Sequence, residues 1–261
     1  MSWAVLGQGA WMPNRVGVSG VLAEFASDDG ERPDLTGYPS RLMRGTSTLT
    51  RMCAAVARQA LHASGADGAT IPAVFASANG ELNIAIDQLT MMVTGDGKIS
   101  PARFKNSVHN TSAGIFSIAH GNKGMTTSLA GGPLTVAHAL LEAFGILDDG
   151  GSQVLVVVGD ESLPEPLSQL KQWPSFAAAW VLGREAPDDG TPRARLSGLS
   201  ATPADTPVPA SLPDGLQHHP CVPGYHLMAA IDRAEREASA GSKRLGLGSD
   251  DDEFWSVAVG R

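Results

Sequence analysis

Residues 154–158 read Val-Leu-Val-Val-Val, five branched aliphatic side chains in succession. Successive side chains of a strand point to opposite faces of a sheet. An unbroken aliphatic run therefore needs cover on both sides, which is the position of a central strand in a layered, mostly parallel sheet. Few folds provide that, and the surrounding pattern narrows them to α/β.

Upstream, Trp3–Gly9 is a short apolar run entering a Gly-Gln-Gly loop, and Pro72–Ser77 a second strand. Between them Leu49, Met52, Cys53, Val56, Ala57 and Ala60 recur at helical spacing behind a Thr46 or Ser47 cap. Glu81–Val93 reads as another helix. Ser107–Gly121 is almost free of charge and is expected to be a helix buried all round. Met125–Ala130 is a strand, and Pro133–Leu147 a helix entered by a proline in its first turn. Phe176–Gly183 and Ala194–Ser200 follow as strands. The order β-α-β-α-α-β-α-β-β predicts a layered α/β domain over residues 1–200. Beyond it, residues 186–223 hold eight of the chain's 17 prolines and read as a meandering surface segment. A helix at Tyr225–Ala238 and a strand at Phe254–Val259 after an acidic turn complete residues 201–261, expected to pack back on the same domain.

Charge and cysteine content exclude several classes of function. The net charge of −8 and pI near 5.3, with no basic stripe, argue against nucleic acid or an anionic membrane as partner. No window nears eighteen uninterrupted apolar residues, so no membrane span is expected. Met1-Ser2-Trp3-Ala4-Val5 opens without a basic segment and long apolar run, so a cytoplasmic protein is expected. The two cysteines, Cys53 and Cys221, lie far apart and read as reduced thiols rather than a disulfide or zinc framework. A charged fraction of 18% is low for a solvated monomer and favours a chain that hides surface against a partner.

The stretch from Ile99 to Glu161 is the most specific. It runs Ile99-Ser100-Pro101, Asn110-x-x-Ala113-Gly114, Gly121-x-x-Gly124, a strand, a helix and VLVVVGDE. In order and spacing it resembles the N-terminal half of the β-ketoacyl synthases. The likeness extends back to the first strand and to RMCAAVARQAL (51–61), and forward to FAAAWVLGRE (176–185), covering roughly residues 1–200. It implies a thiolase-like half, a layered mixed sheet with helices on both faces, truncated relative to full synthases.

In that family a cysteine at a helix N-terminus is the nucleophile, activated by the helix dipole and backbone N–H groups. Counted from Asn110, or back from Glu161, that position falls on Pro133 in Leu-Ala-Gly-Gly-Pro-Leu (129–134). Proline offers neither nucleophile nor N–H and suits a plain helix start. The second half, which supplies the family's two catalytic histidines, is not complete here. His218, His219 and His226 lack the family's glycine-flanked strand context. The resemblance therefore implies a subunit with no catalytic residues, no metal and no cofactor, like the chain-length factors of type II polyketide systems, particularly the aryl-polyene type. It implies a heterodimer with a cysteine-bearing synthase, served by an acyl carrier protein.

Against that frame, Leu89, Met91 and Met92 read either as ordinary core or as acyl-tunnel wall, where flexible methionines suit varied chains. Arg103 and Phe104 are expected to reach across the subunit interface, with His109, Met125 and Ser128 near it. His109 and His120, eleven residues apart, indicate no third metal ligand. Asp160-Glu161 is expected to position a neighbouring loop rather than act as an acid/base pair. Gly7-Gln8-Gly9 lacks the third glycine and helix of a dinucleotide loop. Two other readings stay open: a stand-alone acyl- or carrier-protein-binding module acting as a homodimer, and an acyl hydrolase or transferase using Ser128 or Thr135.

Overall fold

The computed structural model describes residues 1–26, 30–95, 97–184, 192–204, 212–237, 241–250 and 253–261. In chain order the elements begin with β1 (Ser2–Met12), β2 (Arg15–Val16), α1 (Gly17–Leu22), α2 (Thr48–Ser64) and β3 (Ala73–Ala76). There follow α3 (Leu82–Thr94), α4 (Pro101–Phe104), α5 (Thr111–His120), β4 (Thr126–Leu129) and α6 (Thr135–Asp148). Last come β5 (Gln153–Asp160), β6 (Phe176–Gly183), β7 (Ala194–Ser200), α7 (Val222–Arg236), β8 (Lys243–Asp250) and β9 (Glu253–Gly260).

Among the described residues the strands form one sheet in the order β4-β3-β5-β6-β1-β7-β9-β8, with the short β2 paired on β1. The aliphatic strand β5 is indeed interior, but the sheet is mixed. β5 runs parallel to β3 and antiparallel to β6. Its side chains divide as the run requires. Val154, Val156 and Val158 enter one core with α6 and α7, and Leu155 and Val157 enter the other with α2 and α5. This is the thiolase-like layering.

β1 corrects the expected Gly-Gln-Gly loop, because the strand runs straight through it to Met12. The glycines serve helix packing. A Cβ on Gly7 would lie 2.4 Å from the Ala60 carbonyl oxygen, and one on Gly9 2.3 Å from that of Val56. α2 thus lies directly on bare backbone. Its N-cap is Ser47, whose hydroxyl accepts the Thr50 N–H at 2.9 Å.

α5 is shorter than expected and not buried all round. It begins at Thr111, buries Ala113, Ile115 and Phe116, and leaves Ile118 68% exposed. The helix expected from Pro133 starts as a 3₁₀ turn, Gly132–Leu134, and becomes α-helical at Thr135.

The strand β8 was not foreseen. Leu245 and Leu247 alternate inward, but their neighbours are Gly246 and Gly248, residues that strands usually avoid. Gly248 is there for a close approach. Its φ is +120°, and a Cβ would sit 2.3 Å from the Pro133 carbonyl oxygen. β8, β9 and α7 thereby join the core that holds α6. The proline-rich segment is also less superficial than expected: Leu216, His219 and Cys221 are all buried. Residues 186–191 and 205–211 of it lie outside the described residues, as does Ala238 of the last helix.

Candidate functional site

Pro133 lies exposed on the wall of a pocket of about 510 Å3 that also takes in Asn79, Lys171, Trp173, His218 and His219. The fold therefore brings two histidines from the proline-rich segment to the position that the resemblance gives to a nucleophile. Only His218 is open to solvent. His219 is fully engaged: Nδ1 accepts the Cys221 N–H at 2.9 Å, so the neutral ring carries its proton on Nε2, which donates to the Asp160 carbonyl at 2.9 Å. Burial lowers its pKa, which keeps the ring neutral.

Asp160, completely buried at the end of β5, organises this wall. Its carboxylate accepts from the Ser77 hydroxyl (2.8 Å), the N–H groups of Ala78 (2.9 Å) and Asn79 (2.8 Å), and the Cys221 thiol (3.2 Å). Charge-assisted hydrogen bonds of this kind fix the turn after β3. Burial, and then the adjacent Asp160 carboxylate, push the Cys221 thiol well up. Burial does the same to Cys53, with Glu81 as the next contributor. Both cysteines of the chain are thus held as inert thiols.

The two hydroxyls weighed as nucleophiles differ. Thr135 Oγ donates to the Gly132 carbonyl (2.8 Å) and accepts the Gly131 N–H (3.1 Å), closing the turn into α6. Ser128 Oγ is buried on β4 and has no hydrogen-bond partner. Neither touches a base.

The residues assigned to an interface lie on a different side. α3 is thirteen residues long yet buries only Ile84 and Gln88. Leu89 (55%), Met91 (40%), Met92 (50%), Phe104 (56%) and Met125 (49%) are exposed, which rules out the ordinary-core reading for this chain alone. Among the described residues, nine of the fifteen exposed large hydrophobic side chains fall between Leu89 and Met125. Polar contacts hold the surface in place. Arg103 pairs with Asp87 at 2.9 Å, and Gln88 Oε1 accepts the Ser100 N–H at 3.1 Å. His109 Nε2 lies 2.9 Å from the Ser77 carbonyl, so that histidine pins the β3 turn from the outside. His120 stands apart, 3.2 Å from the Tyr38 hydroxyl. β4 is, with β8, one of the two terminal strands, each paired on one side only among the described residues.

Sequence reasoning missed Glu81 and singled out Glu161 only together with Asp160, as a loop-positioning pair; both carboxyls are buried. Glu81 stands at the N-cap position of α3 without capping it, its carboxyl accepting instead from the Thr50 hydroxyl at 2.6 Å, and Glu161 accepts the Leu49 N–H at 3.3 Å. Each keeps one buried oxygen without a partner. Glu81 had registered only as the start of a helix.

A mixed sheet with helices on both faces and a buried acid organising the turn after β3 defines a thiolase-like, ketosynthase-type domain. The family model for the beta-ketoacyl synthase N-terminal domain matches residues 21–217, and the chain belongs to that family. Among solved structures it is similar to a ketosynthase in complex with its chain length factor from Xenorhabdus doucetiae. Identity there is 20% and the TM-score 0.69, with 99% of each chain covered. The ishigamide ketosynthase/chain length factor gives 17% and 0.74, again over 99% of each chain. A type II polyketide acyl-carrier protein in complex with its ketosynthase, bound to the hexaketide, gives 12% and 0.75 over 99% of each. At such identities the likeness is one of fold. No curated protein matches the chain. Among the described residues no helix is long and apolar enough to cross a membrane.

Proposed function

We propose that this chain is a non-catalytic subunit of the chain-length-factor type. It pairs with a cysteine-bearing β-ketoacyl synthase in the cytoplasm and helps shape that enzyme's acyl tunnel, with substrates delivered on an acyl carrier protein. The observation that carries the reading is α3, a helix with only two buried residues. It stands among exposed Leu, Met and Phe side chains in a chain whose terminal strand β4 is open. A bare edge beside an apolar surface is a liability unless another chain covers it. The relatives described as ketosynthase–chain length factor complexes supply the kind of partner, and the aryl-polyene type is the assembly the sequence most resembles.

The pocket at Pro133 supports the non-catalytic half of the reading. Pro133 has no nucleophile, His219 has no free nitrogen, and both thiols are buried. The test has two arms. Co-expressed with the cysteine-bearing synthase, the chain should co-purify as a heterodimer burying more than about 2,000 Å2, as obligate interfaces do. Alone, Pro133→Cys should yield no ketoacyl product from malonyl-loaded carrier protein. A stable monomer indifferent to the synthase would end the first claim, and turnover by the variant the second.

A further inference from the structure

Resting on the heterodimer reading, we propose that the pocket between the start of α2 and the α3–α4 pair receives a lysine or arginine side chain of the partner subunit, with Glu161 as its acceptor. The pocket measures about 400 Å3 and is lined by Thr46, Thr48, Asn83, Asp87, Arg103 and Glu161, among others. Glu161 is only 8% exposed, and its Oε1 is buried with no hydrogen-bond partner. The Asn83 amide is near but donates to the Ser162 carbonyl at 3.0 Å. Oε2 is held by the Leu49 N–H at the start of α2.

A buried carboxyl with one idle oxygen is costly unless something pairs with it. Among the described residues no free cation does so, and the neutral Asn83 amide gives only partial relief. Glu81, Asp87 and Asp160 are acids, Cys53 is a buried thiol, and His109 faces Glu81 instead. Arg103 is the cation of the pocket, and its guanidinium is committed to Asp87 at 2.9 Å. Burial pushes the Glu161 carboxyl up to about 7, and Glu81 acts in the same direction, against partial relief from Asn83 and the Leu49 and Thr48 backbone. A cation entering beside Arg103 would pair with Oε1 and hold Glu161 ionised. Asp87 and Arg103 also stand beside the apolar surface offered to the partner, so a basic side chain docking there has the pocket within reach. Among the described residues no cluster of three His, Cys, Asp or Glu could hold a metal ion instead.

The experiment is the affinity of the purified subunit for the cysteine-bearing synthase at pH 6 and pH 8. A carboxyl that titrates near 7 when free and well below 6 when paired makes the complex about tenfold tighter at pH 8 than at pH 6. Glu161→Gln should bind like wild type at pH 6 and lose the gain. Arg103→Gln should keep the gain; if it is lost there, Arg103 itself is the mate and the proposal is overturned. Equal pH dependence in wild type and Glu161→Gln also overturns it while leaving the heterodimer standing. Failure to form a complex at either pH removes the heterodimer reading, and this inference with it. Should Glu161→Gln not fold, carbodiimide labelling of wild-type Glu161 replaces it. Pairing requires protection in the complex, and unchanged labelling refutes it.

Discussion

Asp160 and Glu161 are consecutive and both buried, yet they belong to two sides of the molecule finished in opposite ways. On the Asp160 side the Asp160 carboxylate and both ring nitrogens of His219 have mates, and α7, β8 and β9 join the core there. Cys221 and His219 lock onto Asp160, and β8 presses on Pro133. On the Glu161 side two carboxylate oxygens are idle, α3 buries two residues of thirteen, and β4 has an open edge. The difference teaches where the chain is self-sufficient. α7, β8 and β9 pack into the core that holds α6. Nothing in the described chain covers α3.

The largest effect is expected from breaking the satisfied side. Asp160→Ala strands the Ser77 hydroxyl and the N–H groups of Ala78 and Asn79, for a loss of about 3–5 kcal/mol of folding stability. Urea unfolding of the purified subunit measures it. A loss under about 1 kcal/mol would mean the two sides differ less than their hydrogen bonds indicate.

Pairing should depend on the other side. Met92→Asp and Leu89→Asp place charge on surface that is already half exposed, so stability should move by less than about 0.5 kcal/mol. Affinity for the synthase should fall roughly a hundredfold, about 2.7 kcal/mol. Lys243→Glu, on the opposite end strand β8, should leave affinity unchanged. Titration calorimetry separates them, and equal losses at both ends would erase the comparison.

The same contrast appears in pH dependence. Glu161 is raised from 4.5 to about 7, so the folded chain binds an extra proton between those values and the isolated subunit loses stability as pH rises through that window. Once the carboxyl is fully ionised the cost is about 3 kcal/mol, and Glu161→Gln should recover most of it at pH 8. Glu81 is shifted the same way by its burial. On the closed side the sign is reversed. His226, lowered to about 4 by burial, contributes stability that is present above 6.5 and lost as pH falls towards 4. Melting curves from pH 4 to 9 on wild type, Glu161→Gln and His226→Gln should show the two limbs removed separately.

What the sequence made legible follows from how each element is buried. β5 announced itself because both its faces are aliphatic, and α2 because one face is. β8 was invisible because the residues that let it approach Pro133 are glycines, whose message is space rather than hydrophobicity. The pocket at Pro133 joins residues as far apart as Ala78 and Ser249, a proximity no local pattern records. Glu81 is unremarkable as a letter and Glu161 stood out only beside Asp160; their burial is what makes them chemical. Met91, Met92 and Leu89 were ambiguous because an apolar helix looks the same whether its own chain covers it or a partner does.

The smallest expected effect is on product length. If the α3–α4 surface only glued two subunits together, apolar residues of equal volume could be exchanged there without consequence. If it also walls the acyl tunnel, side-chain size should set how far a chain grows. Phe104 and Met92, exposed here, would then face growing acyl chain as well as partner, and alanine at either should lengthen the product by one or more extension units. Tryptophan at Leu89 or Met91 should shorten it. Forcing an extra methylene into a filled pocket costs on the order of 1–3 kcal/mol, and about 1.4 kcal/mol is a tenfold change in partition. One wall residue is therefore enough to end elongation. The measurement is the product distribution by mass spectrometry from variant complexes that still co-purify, so that lost assembly is not read as altered length. An unchanged distribution from all four intact complexes would leave the surface as an interface and remove it from the tunnel.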